Sequence, residues 1–280
     1  MDERIELRSL ADTVEIAPGV RINRLGLGTY RSAGGSEAAN EVTWGLELGY
    51  RTIDTAAMYG NERSIGEAIR ASGIPREDVF VTTKLWNSDQ GFEPALRAFD
   101  ASLGRLGFDY VDLYLIHWPV PGHTRNSWRA LEQILDSGRA RAIGVCNFLP
   151  HHLEPLLAVA SVPPALDQVE LHPYLQQPEL QAYCAEHGIA LQAWAPVMRG
   201  RVDQVPELVE IGRRHGKTPA QVSIRWILQR GIVTIPKSVH RERLAENADV
   251  YDFELSAEEV ATIEGLDRGG RIGSHPDAFS

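Results

Sequence analysis

RTIDT (51–55), VFVTTK (79–84) and VDLYLIH (111–117) decide the fold. Each is a short apolar, β-rich run that reads as a strand, and each carries at or near its carboxyl end a residue able to hold or move a proton: Asp54, Lys84 and His117. Tyr59 follows five residues after Asp54, in DTAAMYGNE. In a barrel of parallel strands the carboxyl ends meet at one face, so residues far apart in sequence converge on one pocket.

Working outward, the same rhythm continues. Further strands are expected at LGLGT (25–29), RAIGVCN (141–147), LDQVE (166–170), IALQAW (189–194) and IVTIP (232–236), eight in all. Helical periodicity fills the gaps, at about 37–48, 61–71, 92–105, 125–137, 150–160, 178–187, 204–228 and 240–248. The seventh gap is too long for one helix. His215-Gly216-Lys217-Thr218-Pro219 divides it, with Gly216 as a stop, Thr218 as a cap and Pro219 at the first helical position. Residues 13–23 form two short alternating runs around the turn dipeptide Pro18-Gly19, which reads as a hairpin. Ser256 and Glu259 make a capping box for a last helix. The expectation is one α/β domain over 1–280: a (β/α)8 barrel with an N-terminal β-hairpin, an extra helix before unit eight, and a C-terminal helix and tail.

Composition excludes several classes. An apolar fraction of 43% with 24% charged residues is ordinary for a globular chain. A net charge of −10, with Lys and Arg scattered, offers no basic stripe for nucleic acid. Cys146 and Cys184 stand in no metal or redox spacing, which suits a reducing compartment. MDERIELRSL lacks the apolar core of a signal peptide, and no stretch approaches the roughly 20 apolar residues of a membrane span. A cytoplasmic protein is expected, with no membrane or nucleic-acid partner. His151 and His152 are adjacent rather than i, i+4, and Glu170-Leu171-His172 has no third ligand nearby, so no metal is expected.

The four polar residues suggest a division of labour. Asp54 can hold a buried Lys84 as an ammonium, and a cation beside Tyr59 favours phenolate. Lowering tyrosine from its usual value of about 10 would ready its hydroxyl to donate a proton near neutral pH. His117 can orient a carbonyl oxygen from the other side. Singly, these residues could as well cap turns or fill the core; their joint placement is what points to carbonyl reduction. For the hydride source, Gly26-Leu27-Gly28 begins G-x-G-x-x-G, but Arg31 stands where the last glycine is required, so the dinucleotide fingerprint fails. In this barrel the phosphate site is expected after the seventh and eighth strands. There IPKSVHRERLAEN places Lys237, Ser238 and Arg243, of which Lys237 and Arg243 suit an adenosine 2′-phosphate.

GYRTIDTAAMYGNE, TTKLWN, VDLYLIHWP, IGVCNF, DQVELHPY and IPKSVHRERLAEN together resemble the aldo-keto reductase family, over about residues 15–275. Trp194-Ala195-Pro196 and HGKTPAQVSIRWILQRG are most similar to the bacterial branch that includes 2,5-diketo-D-gluconate reductases. The resemblance implies NADPH-dependent reduction of aldehydes or ketones to alcohols, of a diketo-sugar-acid, keto-ester or methylglyoxal type, by a monomer. It implies a catalytic tetrad of Asp54, Tyr59, Lys84 and His117, with Tyr59 as general acid. Asn147 and Gln168 would hold the nicotinamide carboxamide, and Trp194 would stack on its ring beside Pro196. Lys237, Ser238, Val239, Arg243, Glu246 and Asn247 would hold the adenosine phosphate and adenine, and Tyr30, Trp86 and Trp118 the substrate. Three departures stand out: Cys146 where the family usually has Ser, His240 where the branch often has a basic residue, and PVMRG (196–200) in the pyrophosphate loop.

Two other readings use the same residues. Lys84 could form a Schiff base in an aldolase, which needs a depressed pKa and no carboxylate partner. The barrel could instead serve as a non-catalytic NADPH-binding sensor.

Overall fold

The computed structural model describes residues 6–279. Strands β1 (Thr13–Ala17) and β2 (Val20–Asn23) form the expected antiparallel hairpin, turning at Gly19 with φ +72°. Eight parallel strands follow: β3 (Leu27–Gly28), β4 (Thr52–Asp54), β5 (Phe80–Leu85), β6 (Val111–Ile116), β7 (Ala140–Cys146), β8 (Leu166–Glu170), β9 (Ala190–Trp194) and β10 (Val233–Thr234). Each neighbours the next in sequence. The barrel closes where Leu25 bridges Thr234, with Gly26 N–H donating to Thr234 O at 2.9 Å and Thr234 N–H to Arg24 O at 2.9 Å. The first and last strands are shorter than their sequence runs: only Leu27 and Gly28 of β3 pair with β4, only Val233 and Thr234 of β10 pair with β9, and a single bridge joins the two at the seam.

The helices are α1 (Ser36–Glu47), α2 (Glu62–Ala71), α3 (Phe92–Leu106), α4 (Thr124–Asp136), α5 (Pro150–Leu157), α6 (Pro178–Glu186), α7 (Pro206–His215), α8 (Pro219–Gln229), α9 (Arg241–Ala248) and α10 (Ala257–Glu264). The long seventh gap divides as its sequence requires: α7 ends at Gly216 with φ +66°, and Thr218 accepts from Gln221 N–H to open α8. Ser256 accepts from Glu259 N–H to open α10. Helix α5 ends three residues before the expected 160, where Ser161 and Val162 donate their N–H groups to Glu132 instead of extending it.

Two apolar cores result. One lies between the strands and the helices that cover them, and includes Phe99, Trp128 and Trp226. The other fills the barrel, where Ile16, Val20 and Ile22 of the hairpin meet Phe80, Ala142, Leu166 and Val233. These four partners lie at or near the starts of their strands, so the hairpin plugs the amino-terminal end. That leaves the carboxyl end for chemistry.

Helix α2 supports this end directly. Its Glu62, buried, accepts from Thr83 Oγ1 at 2.6 Å and pairs with Arg105 Nε at 2.6 Å, fixing β5 next to Lys84. The approach requires Gly66, since a Cβ there would overlap the carbonyl of Leu106. Because the obstacle is backbone, Gly66→Ala is expected to cost at least ~2 kcal/mol; an unchanged urea midpoint would contradict this packing.

Candidate active site

Strand register brings the polar ends together. Asp54 closes β4, Lys84 is the penultimate residue of β5, and His117 follows β6 directly. Tyr59 returns over the barrel in a single 3-10 turn, Ala57–Tyr59, which ends at Gly60 in the left-handed region. Asn61 fixes that return: its Oδ1 accepts from Thr55 Oγ1 at 2.7 Å and its Nδ2 donates to Thr29 O at 3.0 Å.

Lys84 is wholly buried and spends each of its three protons. It donates to Asp54 Oδ1 at 2.6 Å, Thr55 O at 2.9 Å and Tyr59 Oη at 3.2 Å. Burial alone would lower its pKa; Asp54 outweighs burial, so Lys84 is raised and stays charged. Tyr59 differs from the sequence expectation. Burial raises its hydroxyl above the usual tyrosine value, and Lys84 opposes that rise without reversing it. The phenol is therefore protonated at neutral pH, and since its oxygen accepts from Lys84, its own proton is available to another acceptor. Burial, then Lys84, holds His117 well below the usual histidine value, so its ring is neutral. That ring stands edge-on to Tyr59 with centroids 5.7 Å apart.

These groups lie at one end of a cavity of about 970 Å³. Tyr59, Asp54 and His117 reach it, and Lys84 backs them from behind. Tyr30, Met58 and Trp118 form an aromatic and apolar wall nearby. Trp86, expected at the substrate, does not line the cavity; its ring packs edge-on to His117 at 5.2 Å and supports the imidazole. Trp194 lines the middle of the cavity together with Pro196. Its Nε1 donates to Asn147 Oδ1 at 2.9 Å, and Asn147 Nδ2 donates to His117 O at 3.0 Å. Gln168 Nε2 donates to Asp54 Oδ2 at 2.7 Å and to Gln192 Oε1 at 2.7 Å. The amides thus tie the middle of the cavity to the catalytic end. Cys146 takes part, 3.1 Å from Asn147 Nδ2 and 3.6 Å from Gln168 Oε1.

The far end is lined by Lys237, Ser238, Val239, Arg243, Glu246 and Asn247, with His240 beside them. Glu246 is oriented by Thr218, whose Oγ1 donates to it at 2.7 Å. The loop after β9 borders this half with unusual backbone: Ala195, Met198 and Arg199 all have φ between +52° and +54°. Left-handed conformations at three non-glycine residues are the kind of strain that gathers at ligand sites.

Several residues here carried no motif. Glu41 lies on the buried face of α1 with Ala38 and Val42, where its carboxylate accepts from Ser32 Oγ. Burial pushes it up to about 7, with Ser32, Lys237 and the backbone of Ser238 holding it down. A charged residue in an apolar helical stripe was the available signal. Ile272, Gly273 and Ser274 of the tail also line the cavity, and nothing local marked them.

The barrel, its closed amino-terminal end and a buried Asp–Lys–Tyr relay facing a long cavity define an enzyme of the oxidoreductase type. Residues 24–268 match the aldo/keto reductase family, and the chain belongs to that family. It is 49% identical over 269 residues to glyoxal reductase of Bacillus subtilis, covering 96% of this chain and 98% of that one. It is 49% identical over 269 residues to 9,11-endoperoxide prostaglandin H2 reductase of Trypanosoma cruzi, covering 95% of each. A crystal structure of a point variant of Gox0644 in complex with NADPH superposes with a TM-score of 0.91 at 40% identity, covering 95% of this chain and 97% of that one.

Proposed function

We propose that this protein reduces aldehydes or ketones to alcohols with NADPH, Tyr59 acting as the general acid. One observation carries the reading: a buried ammonium, fixed by Asp54, donates to the Tyr59 oxygen where Tyr59 lines the cavity. The contact favours the phenolate left when the proton departs and leaves that proton facing the cavity. A neutral His117 beside it orients the carbonyl oxygen without competing for the proton.

The remaining cavity fits a nicotinamide nucleotide. It is larger than a small carbonyl needs, and its lining includes two cations, Lys237 and Arg243, with an amide at Asn247. Lys237 and Arg243 would hold the 2′-phosphate, Glu246 and Asn247 the adenine, Trp194 the nicotinamide face, and Asn147 and Gln168 its carboxamide. When bound, the dihydronicotinamide supplies the hydride. The chain's own part is to seat the carbonyl between Tyr59 and His117 and to exclude water behind Trp118.

The Schiff-base reading is disfavoured by Lys84 itself, whose pKa is raised and whose protons are all engaged. For substrates, the aromatic wall of Tyr30 and Trp118 favours aromatic aldehydes, and the similarity to glyoxal reductase adds small dicarbonyls. A screen of NADPH oxidation over glyoxal, methylglyoxal, keto-esters, keto-sugars and aromatic aldehydes tests the whole reading; tight NADPH binding with no turnover on any of them would support the sensor instead.

Cofactor choice follows from the far end. NADPH and NADH differ only by the 2′-phosphate, so wild type is expected to favour NADPH in kcat/KM, and Arg243→Ala to lower that ratio by about tenfold. An unchanged ratio in the variant would remove Arg243 from the phosphate site.

A further inference from the structure

Helix α1 carries a carboxylate where its neighbours are apolar. Glu41 is wholly buried and shares the inner face of the helix with Ala38, Val42 and Leu46. Two loops meet at it. Gly28 N–H donates to Pro236 O at 3.1 Å, which sets the segment after β3 beside the segment after β10. From the first, Ser32 Oγ donates to Glu41 Oε2. From the second, the Lys237 ammonium and the backbone of Ser238 both favour the carboxylate. Oε1 nevertheless makes no hydrogen bond among the described residues. Lys237 and Ser238 line the cavity, so Glu41 stands behind the part of the wall that faces a 2′-phosphate.

The other groups around it are accounted for. On α1 itself Glu37 lies one turn earlier, where its Oε1 accepts from Ala33 N–H at 2.7 Å. At the entrance of α2, Asn61 Nδ2 donates to Ser32 O at 3.2 Å, and Ser64 Oγ accepts from Gly35 N–H at 2.7 Å. Glu62 of α2 faces Thr83 and Arg105 instead, and Arg63 and Glu67 are exposed. From α9, Arg241 pairs with Glu47 at the other end of α1 at 3.2 Å, while Arg243 and, just before the helix, His240 line the cavity. Lys237 is the cation that acts on Glu41.

Burial pushes Glu41 up to about 7, so its charged and neutral forms are both populated at neutral pH. Charge sets the direction of any change. A phosphate dianion drawn to Lys237 offsets the cation that favours the carboxylate and adds like charge nearby, and both effects favour the protonated acid. Conversely, an ionised Glu41 competes with the phosphate for Lys237.

We propose that Glu41 is a positioning residue that makes cofactor selection proton-linked: engagement of a 2′-phosphate by Lys237 draws a proton from solvent onto Glu41, so the preference for NADPH over NADH weakens as pH rises through neutrality. The proposal rests on the NADPH reading. Glu41 acts through Lys237 and does not itself line the cavity.

Fluorescence titration of NADPH and NADH binding from pH 7 to 8.5 tests this without turnover. In that window a phosphate monoester, with a second pKa of about 6, is already a dianion and adds little slope of its own. Wild-type affinity for NADPH is expected to fall about three- to fivefold while that for NADH stays level. Glu41→Gln keeps an acceptor for Ser32 and mimics the protonated acid, so its NADPH affinity should hold the wild-type pH 7 level across the range. His240→Gln is the necessary comparison, since His240 would give the same sign if it were the acceptor; the slope should survive that change. Calorimetry of the wild type at pH 7.5, in two buffers of different ionisation enthalpy, should count about half a proton taken up with NADPH and none with NADH. A slope retained in Glu41→Gln, a slope lost in His240→Gln, or NADPH binding with no proton uptake would overturn the proposal alone. A wild type that binds neither nucleotide at any pH would overturn the NADPH reading, and the proposal with it.

Discussion

Tyr59→Phe is expected to lower kcat for aldehyde reduction by about 10²- to 10⁴-fold, the usual worth of a positioned general acid. The ring contacts to Tyr30 at 5.1 Å and His117 at 5.7 Å survive the change, so fold and cavity shape are retained. What is lost is the oxygen that accepts from Lys84 and that, in the proposed reaction, would pass its proton to the substrate. NADPH affinity, measured by fluorescence titration, should change by less than about threefold, since the hydroxyl is used in the transition state. Its burial sets the sign of the pH dependence. A phenol held above the usual tyrosine value stays protonated through neutral pH. Reduction in the wild type should then show no basic limb near neutrality, whereas alcohol oxidation, which needs the same oxygen deprotonated, should increase as pH rises. A Phe variant that keeps most of its turnover would remove Tyr59 from the reaction.

The contrast between what was legible and what was not follows sequence distance. Strands of a barrel covered by helices are buried on both faces, so their apolar runs stand out, and a charge closing such a run is conspicuous. Asp54, Lys84 and His117 were visible for that reason. Partners that meet only through the fold were not: Gln168 on Asp54, Glu170 on the tail, and Asp277 on a histidine pair 126 residues away. The histidine pair was read against metal spacing along one helix, which says nothing about a carboxylate arriving from the far end of the chain. Tyr59 shows a different limit. The sequence identifies a cation beside the phenol, but the net shift depends on how completely both are enclosed, and here burial outweighs the charge. Left-handed backbone at Ala195, Met198 and Arg199 was equally hidden, because none of these residue types announces it.

Lys84→Met is expected to abolish most turnover and to destabilise the protein by about 3–5 kcal/mol, the cost of leaving one member of a buried ion pair without its partner. Asp54 is almost wholly enclosed, and with the ammonium gone only Gln168 stands against burial of its charge. Its carboxyl must then sit well above an ordinary carboxylate, so the folded variant binds a proton that the unfolded chain has already released. Stability of Lys84→Met should accordingly rise as pH is lowered from 8 to 5.5. The wild-type pair should give a shallower slope: burial raises Asp54 even beside Lys84, which opposes the rise, while the raised pKa of Lys84 contributes stability that is complete below the ordinary lysine value of 10.5 and is lost only as pH climbs through the folded value. Urea melts of both proteins across that range check the sign. Adding Asp54→Asn to Lys84→Met removes the stranded charge and should recover much of the stability. It should recover none of the activity, since the donor to Tyr59 Oη is still missing. Recovery of turnover in the double variant would mean that the ion pair serves only the fold.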